Sequence, residues 1–278
     1  MNERVNGLAK RVYGDVGVNL GFFTRLPLPL SAYGAPNWRD VAWAAPLAGA
    51  LVGAIGAAVL VVGQWLALPS LMSATFAVGA LALTTGALHE DGLADVADGF
   101  GGGGARERKL EIMRDSRIGA FGAVALVLSL LLRVEAVAAM LRPGGNLGFA
   151  AAGLILASAA ARAGALAPLA LLPPARLDGA GATAGGLRTS DMMGAALSVV
   201  IIAFLTGLWS LEVVRALFAC ALTAAAAWGA CAMARRQIGG QTGDVAGAAA
   251  QAAENPSTET ARITPRSSAS PFSRPMQE

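Results

Sequence analysis

The stretch "IGAFGAVALVLSLLLRVEAVAAML", residues 118–141, decides how the rest of the chain is read. It is apolar for about the length an α-helix needs to cross a hydrocarbon layer, and its only charges are Arg133 and Glu135. Five more stretches share this character, at 42–68, 71–88, 147–172, 192–211 and 216–234; only the one at 147–172 contains a charge, Arg162. Of the 278 residues, 55% are hydrophobic and 14% charged, whereas roughly 25% charged is usual for a soluble domain. Mean hydropathy is +0.57. A soluble protein of this composition could not cover itself with polar surface. The expected fold is therefore all-α: a polytopic integral membrane protein with about six transmembrane helices.

The loops give the orientation. Arg4, Lys10, Arg11, Arg25 and Arg39 precede the first span, and Arg106, Arg108, Lys109, Arg114 and Arg117 follow the second. Arg176 and Arg188 lie between the fourth and fifth, and Arg235 and Arg236 follow the sixth. The opposite turns are nearly free of cations, so the N-terminus and the motif-bearing loops are expected on the cytoplasmic side of the cell (inner) membrane. A net charge of +3 distributed this way anchors spans in lipid rather than marking a nucleic-acid surface, and no nucleic-acid partner is expected. Residues 12–30 begin amphipathic and end at Pro27 and Pro29, which suits an N-terminal interfacial helix leading into a rigid turn. The opening MNERVNGLAKRVYGDVG has no apolar segment ending in a cleavage site. Cys220 and Cys231, roughly 16 Å apart on one helix, are too distant to bridge and read as packing. Residues 1–254 are expected to form one catalytic domain, followed by a polar, disordered tail at 255–278 rich in Ser, Pro and Thr.

Scarce charge gathers at ALHEDGLADVADGFGGGG, residues 87–104. Asp91, Asp95 and Asp98 stand at i, i+4 and i+7, within an arc of roughly 60° on a helix. Stacked like charges repel, and more strongly beside a membrane. A divalent cation, basic partners or protonation must offset that cost, and oxygen-only ligands suit Mg²⁺. His89, the only histidine, projects to the apolar side of such a helix, and Glu90 lies about a quarter turn from the stripe. The segment ARERKLEIMRDSRIG, 105–119, then supplies five cations around Asp115 and Ser116. Carboxylate-bound Mg²⁺ with nearby Arg and Lys is the electrostatic outfit of phosphoryl transfer. The plainer alternative is a solvated, positive-inside loop. Arg162 needs a partner or a polar cavity inside its span. Gly240, Thr242 and Asp244 lie in a glycine-rich turn on the same membrane face, fit to bind phosphate or to supply a further metal ligand.

Four motifs, FFTRLPLP at 22–29, ALHEDGLADVADGFGG at 87–102, RERKLEIMRDSRIGAFG at 106–122 and GGQTGDVAGA at 239–248, together resemble the cobalamin synthase family, the adenosylcobinamide-GDP ribazoletransferases. The resemblance implies a Mg²⁺-dependent membrane enzyme that joins adenosylcobinamide-GDP to α-ribazole or its 5′-phosphate, releasing GMP. Association with other corrinoid-pathway enzymes is a further implication. Its acidic motif falls on Glu90, Asp91, Asp95 and Asp98, and its DSRIG on Asp115 to Gly119. In this reading Asp91, Asp95 and Asp98 hold the metal, and Glu90, Asp115 or His89 takes the nucleophile's proton. Arg25, Arg114, Arg117, Arg162, Gly240, Thr242 and Asp244 would contact substrate. The family pattern calls for another apolar helix after GGQTGDVAGAA, where this chain turns polar from Asn255. Two competing readings are a CDP-alcohol phosphotransferase-like enzyme, matched only in part by Asp91-Gly92-Leu93-Ala94-Asp95, and a cation transporter using intramembrane acids.

Overall fold

Inside lipid, backbone N–H and C=O groups find partners only within their own helix, so Ala-, Leu- and Val-rich runs resolve into helices. The computed structural model describes residues 2–28, 37–142, 145–183, 186–210 and 212–259. The helices are α1 (Asn2–Phe23), α2 (Trp38–Val41), α3 (Ala45–Trp65), α4 (Ser70–Thr85), α5 (Leu88–Gly102) and α6 (Arg106–Ile112). They continue with α7 (Ala120–Met140), α8 (Leu147–Leu171), α9 (Ala180–Thr183), α10 (Thr189–Ser210), α11 (Val213–Ile238) and α12 (Gly243–Glu259). Among the described residues, five segments are long and apolar enough to cross a membrane: Trp38–Trp65, Ala120–Met140, Leu147–Leu171, Thr189–Ser210 and Val213–Ile238. The sixth expected span, 71–88, counts only if α4 is taken together with α5 across a bend of 88°. The all-α, polytopic expectation holds, with that one span broken.

The break has a local cause. Gly86 ends α4 in the left-handed region at φ 63°, and Ala87 follows at φ 57°. Two successive left-handed residues turn the chain sharply, and only the first has the residue type that does so without steric cost. A Cβ on Gly86 would also meet the Arg25 side chain, with Nε 2.5 Å away. Arg25 itself donates its backbone N–H to Thr84 O at 2.8 Å. The FFTRLPLP segment is thereby fastened to the corner between α4 and α5. α1 ends at Phe23, short of the two prolines, and docks through Asn19, whose amide donates to Val41 O at 2.9 Å.

Outward faces of the spans are apolar. Val124, Val127, Leu128 and Leu131 on α7 and Ile201, Phe204, Leu205 and Leu208 on α10 are exposed to the surrounding lipid. Inward faces carry small residues, which let backbones approach closely where lipid supplies no hydrophobic drive. α8 is the clearest case, with Ala157, Ala159, Ala160 and Ala161 buried.

α12 lies in the interior of the bundle beside α8. It packs against α5, α7, α8 and α11, and Val245, Ala249, Ala250, Gln251 and Ala253 are almost wholly buried. Its composition of Ala, Gly, Gln and Glu falls short of a membrane span, which is why the glycine-rich segment reads from sequence as a turn. The helix also runs through Asn255 to Glu259, so the chain does not leave the bundle at the expected start of the polar tail. Residues 260–278 lie outside the described ones. Thr242 opens α12: its hydroxyl accepts from Val245 N at 3.2 Å, an N-cap. Gln241 pairs in parallel with Pro174, fixing the turn before α12 to the loop after α8.

If α12 is the core helix, added volume there costs more than trimmed volume on a lipid face. Ala250→Leu should lower stability by about 1–3 kcal/mol through overpacking, whereas Leu131→Ala should change it far less. Thermal unfolding of the detergent-purified variants measures both.

Candidate active site

α5 and α12 cross where each presents a glycine. A Cβ on Gly92 would lie 2.8 Å from Asp244 O and 3.0 Å from Gly247 Cα. That close approach sets the acids of α5 beside Asp244 at the start of α12. Asp95 lies in the electrostatic field of Asp91, Asp244 and Asp98, tempered by Arg176. Arg176 donates to Asp244 Oδ2 at 3.1 Å, and Thr242 Oγ1 donates to the same oxygen at 3.1 Å. Asp91, Asp95 and Asp244 therefore form one acidic patch drawn from two helices, with one guanidinium alongside.

Asp98 is placed differently from the rest of its stripe. Its Oδ2 accepts from Gly119 N at 2.7 Å and its Oδ1 from Gly122 N at 2.8 Å. The carboxylate caps the positive end of α7, where amide N–H groups lack helical partners. A Cβ on Gly119 would sit 2.4 Å from Asp98 Oδ1, and one on Gly122 2.3 Å from Oδ2. The two glycines of RIGAFG exist to admit this side chain. Asp98, expected as a third metal ligand, has both oxygens committed to backbone. Among the described residues no three His, Cys, Asp or Glu side chains group as metal ligands.

Glu90 faces away from the acidic patch into a buried network. Arg133 of α7 donates Nη1 to Glu90 Oε1 at 2.9 Å and Nη2 to Glu254 Oε1 at 3.0 Å. Gln251 Oε1 accepts from Ser129 Oγ at 3.1 Å. Arg162 of α8, 2% exposed, donates Nη1 to Ser158 O at 3.1 Å, in the field of Glu254 and Glu90. Two guanidinium and two carboxylate groups thus balance across four helices. Glu90, expected as a proton acceptor, and Arg162, expected to contact substrate, belong to this network.

The expected phosphate-gripping cations also have other partners. Arg114 pairs with Asp178 at 2.5 Å and Arg117 with Asp115 at 2.5 Å, all four side chains being exposed. The guanidinium of Arg117, and then its backbone N–H, hold the Asp115 carboxyl down to about 2. A carboxylate held that low is a poor proton acceptor at neutral pH. Whatever this exposed pair contributes to stability is present above the ordinary carboxylate range and fades only as pH falls towards 2. Gly240 is buried, and a Cβ there would lie 2.3 Å from Pro173 O, so it serves the 173–175 contact. Thr242 caps α12 and orients Asp244.

Two cavities meet at Asp91. One, of about 520 Å³, is lined by polar groups including Thr24, Arg25 and Thr85. The other, of about 140 Å³, is apolar; His89 and Asp244 are among its lining residues. Phe22, Leu88 and Asp91 line both. The structure thus brings together Arg25, His89, Asp91, Asp95 and Asp244, and separates from them Glu90, Asp98, Arg114, Asp115, Arg117 and Arg162. Arg176, Arg133 and Glu254 are the groups that sequence reading passed over. An arginine in the middle of an otherwise apolar span was the available signal for Arg133.

A multi-span helical bundle with carboxylates on two crossing helices, opening onto one polar and one apolar cavity, defines a membrane-embedded transferase. The chain matches the family model for cobalamin-5-phosphate synthase (CobS) over residues 15–257, and it belongs to that family. It is 47% identical over 248 residues to the adenosylcobinamide-GDP ribazoletransferase of Azorhizobium caulinodans, covering 88% of this chain and 93% of the relative. The protein of the same name from Mesorhizobium japonicum is 45% identical, covering 88% of this chain and 91% of its own. No solved structure matches. Family membership decides against both the CDP-alcohol phosphotransferase-like and the transporter readings.

Removing Arg133 leaves Arg162 alone to balance two buried carboxylates, so Arg133→Met should lose about 3–5 kcal/mol of stability. Adding Glu90→Gln to that variant restores a one-to-one balance and should recover much of the loss. Thermal unfolding in detergent tests the pair, and equal melting of the single and double variants would contradict the charge-balance account.

Proposed function

We propose that this chain transfers the cobinamide-bearing phosphoryl group of adenosylcobinamide-GDP to α-ribazole or its 5′-phosphate at the cytoplasmic face of the inner membrane, releasing GMP. The names of the relatives, family membership and the two-cavity site support this reading. The observation that carries it is Asp91, an acid shared by a polar, arginine-lined cavity and an apolar one.

In the reaction, a ribose hydroxyl of the acceptor forms a new P–O bond to the phosphorus attached to cobinamide. The bond from that phosphorus to the GMP oxygen breaks, and the hydroxyl proton leaves. Arg25 and Arg176 bind phosphate oxygens of the donor and hold the pyrophosphate at the boundary between the cavities. Thr242 and Arg176 occupy Asp244 Oδ2, which leaves Oδ1 to accept the hydroxyl proton. Glu90 and Asp98 act at a distance, by holding α5 in register with α7.

The acidic patch also fits Mg²⁺. Its donors are all hard oxygens, and Mg²⁺ is usually held by one or two carboxylates together with substrate phosphates rather than by a full protein cage. Asp91 and Asp95 would hold it, in keeping with the absence of a third converging ligand among the described residues. When bound, the ion supplies charge neutralisation for the pyrophosphate and the departing nucleotide. Membrane lipid is the surrounding solvent, and contact with other corrinoid-pathway enzymes remains part of the proposal.

Asp91→Asn should abolish GMP release in membranes given both substrates and Mg²⁺, with the protein still inserted; near-normal turnover would overturn the assignment. Asp244→Asn should lower kcat by about 10²–10⁴-fold while leaving the KM for the nucleotide-activated donor close to that of the unaltered chain. Steady-state kinetics of GMP release checks this second outcome.

A further inference from the structure

Acids and cations explain the polar cavity but not its apolar neighbour. We propose that the apolar cavity seats the base of the acceptor nucleoside, as a flat, uncharged heteroaromatic ring system whose ribose emerges beside Asp91 and Asp244. This rests on the transfer reaction proposed above and assigns one subsite within it.

Ring side chains build one part of the wall. Phe22 meets Phe23 edge-on at 5.0 Å and Trp38 at 4.6 Å, and Phe23 meets His89 at 5.8 Å. Such a wall receives a further aromatic ring by edge-to-face or offset contact, worth about 0.5–1.5 kcal/mol per pair beyond area burial. Leu166 and Leu169 of α8 line it as well. The volume, about 140 Å³, is close to that of a dry protein cavity of about 150 Å³ that accepts benzene. A corrin macrocycle is far too large for it.

Polarity sorts the two substrates. Among the described residues no Arg or Lys lines the apolar cavity, whereas Arg25 lines the polar one, so phosphate is drawn to the latter. His89 is 3% exposed, and its Nε2 has no hydrogen-bond partner among the described residues. A buried imidazole nitrogen left without a partner carries a desolvation penalty, which a ring nitrogen of the base would relieve. Because Asp91 lines both cavities, a base seated in one brings its sugar to the phosphate held in the other. His89 then belongs to acceptor recognition, and proton removal falls to Asp244.

The test uses the full chain in nanodiscs, with GMP release as the readout and ribosides of benzimidazole, methylbenzimidazole, dimethylbenzimidazole and adenine as acceptors. Each ring methyl that enters the cavity should lower the acceptor KM by about fourfold, and the polar adenine riboside should be the poorest acceptor. Leu166→Trp, which fills the cavity, should raise the acceptor KM by about tenfold or more without moving the donor KM. An acceptor KM indifferent to ring methylation would overturn the proposal. So would a Leu166→Trp effect confined to the donor KM, or confined to the amount of co-purifying lipid. If Leu166→Trp does not insert, the acceptor series on the unaltered chain decides alone. Calorimetric binding of benzimidazole riboside without donor separates this site from the reaction: binding with no GMP release sinks the transfer and keeps the subsite, and release without methyl dependence does the reverse.

Discussion

A helix that carries four acids can lie inside a membrane bundle only if the acids that take no part in chemistry find opposite charge or aligned amides there. This chain meets the requirement at both ends of α5. Glu90 is held by Arg133 of α7, and Asp98 is held by the first amides of α7. With both ends fixed to one partner helix, the carboxylates between them have little freedom. Asp91 and Asp95 are thereby presented to α12 rather than to lipid. Buried ion pairs seldom add net stability over apolar packing; here the pairing determines where the remaining charge points.

The small-residue character of the interior follows from the same constraint. Guanidinium-to-carboxylate distances near 3 Å across three helices go with backbones that approach closely. Gly92 against Gly247, and the buried alanines of α8, supply that approach. Bulky residues are then left for the lipid-facing surface, which is why the chain is apolar outside as well as inside. Membrane helix association depends on such packing and on interhelical polar contacts, since lipid removes the usual hydrophobic gain.

How much was legible in the sequence depended on which physical signal a residue gives. Runs such as 118–141 announce themselves through length and hydropathy, and the spacing of Asp91, Asp95 and Asp98 announces a helical face. Both signals are local. The division of labour among those acids is not local: Asp98 differs from Asp91 only through amides more than twenty positions away. Pairings such as Arg114 with Asp178, or Arg133 with Glu254, likewise join segments whose separation in sequence hides them. α12 was missed for a different reason. A helix wrapped entirely by other helices needs no lipid-compatible surface, so its Ala, Gly, Gln and Glu carry no hydropathy signal. Arg25 and Asp244 were picked out by motif and membrane side, and those two cues sufficed because both residues sit at chain corners.

The central position of α12 also bears on how the protein is made. It is the last described helix to leave the ribosome, and it is too polar to partition into a bilayer by itself. The apolar segments must already be in place, with a gap between them, before it arrives. During that interval Arg133 has only Glu90 for company, and the bundle is a hollow shell. Closure by a segment that slides in, rather than being released sideways from the insertion machinery, is the assembly order consistent with this architecture.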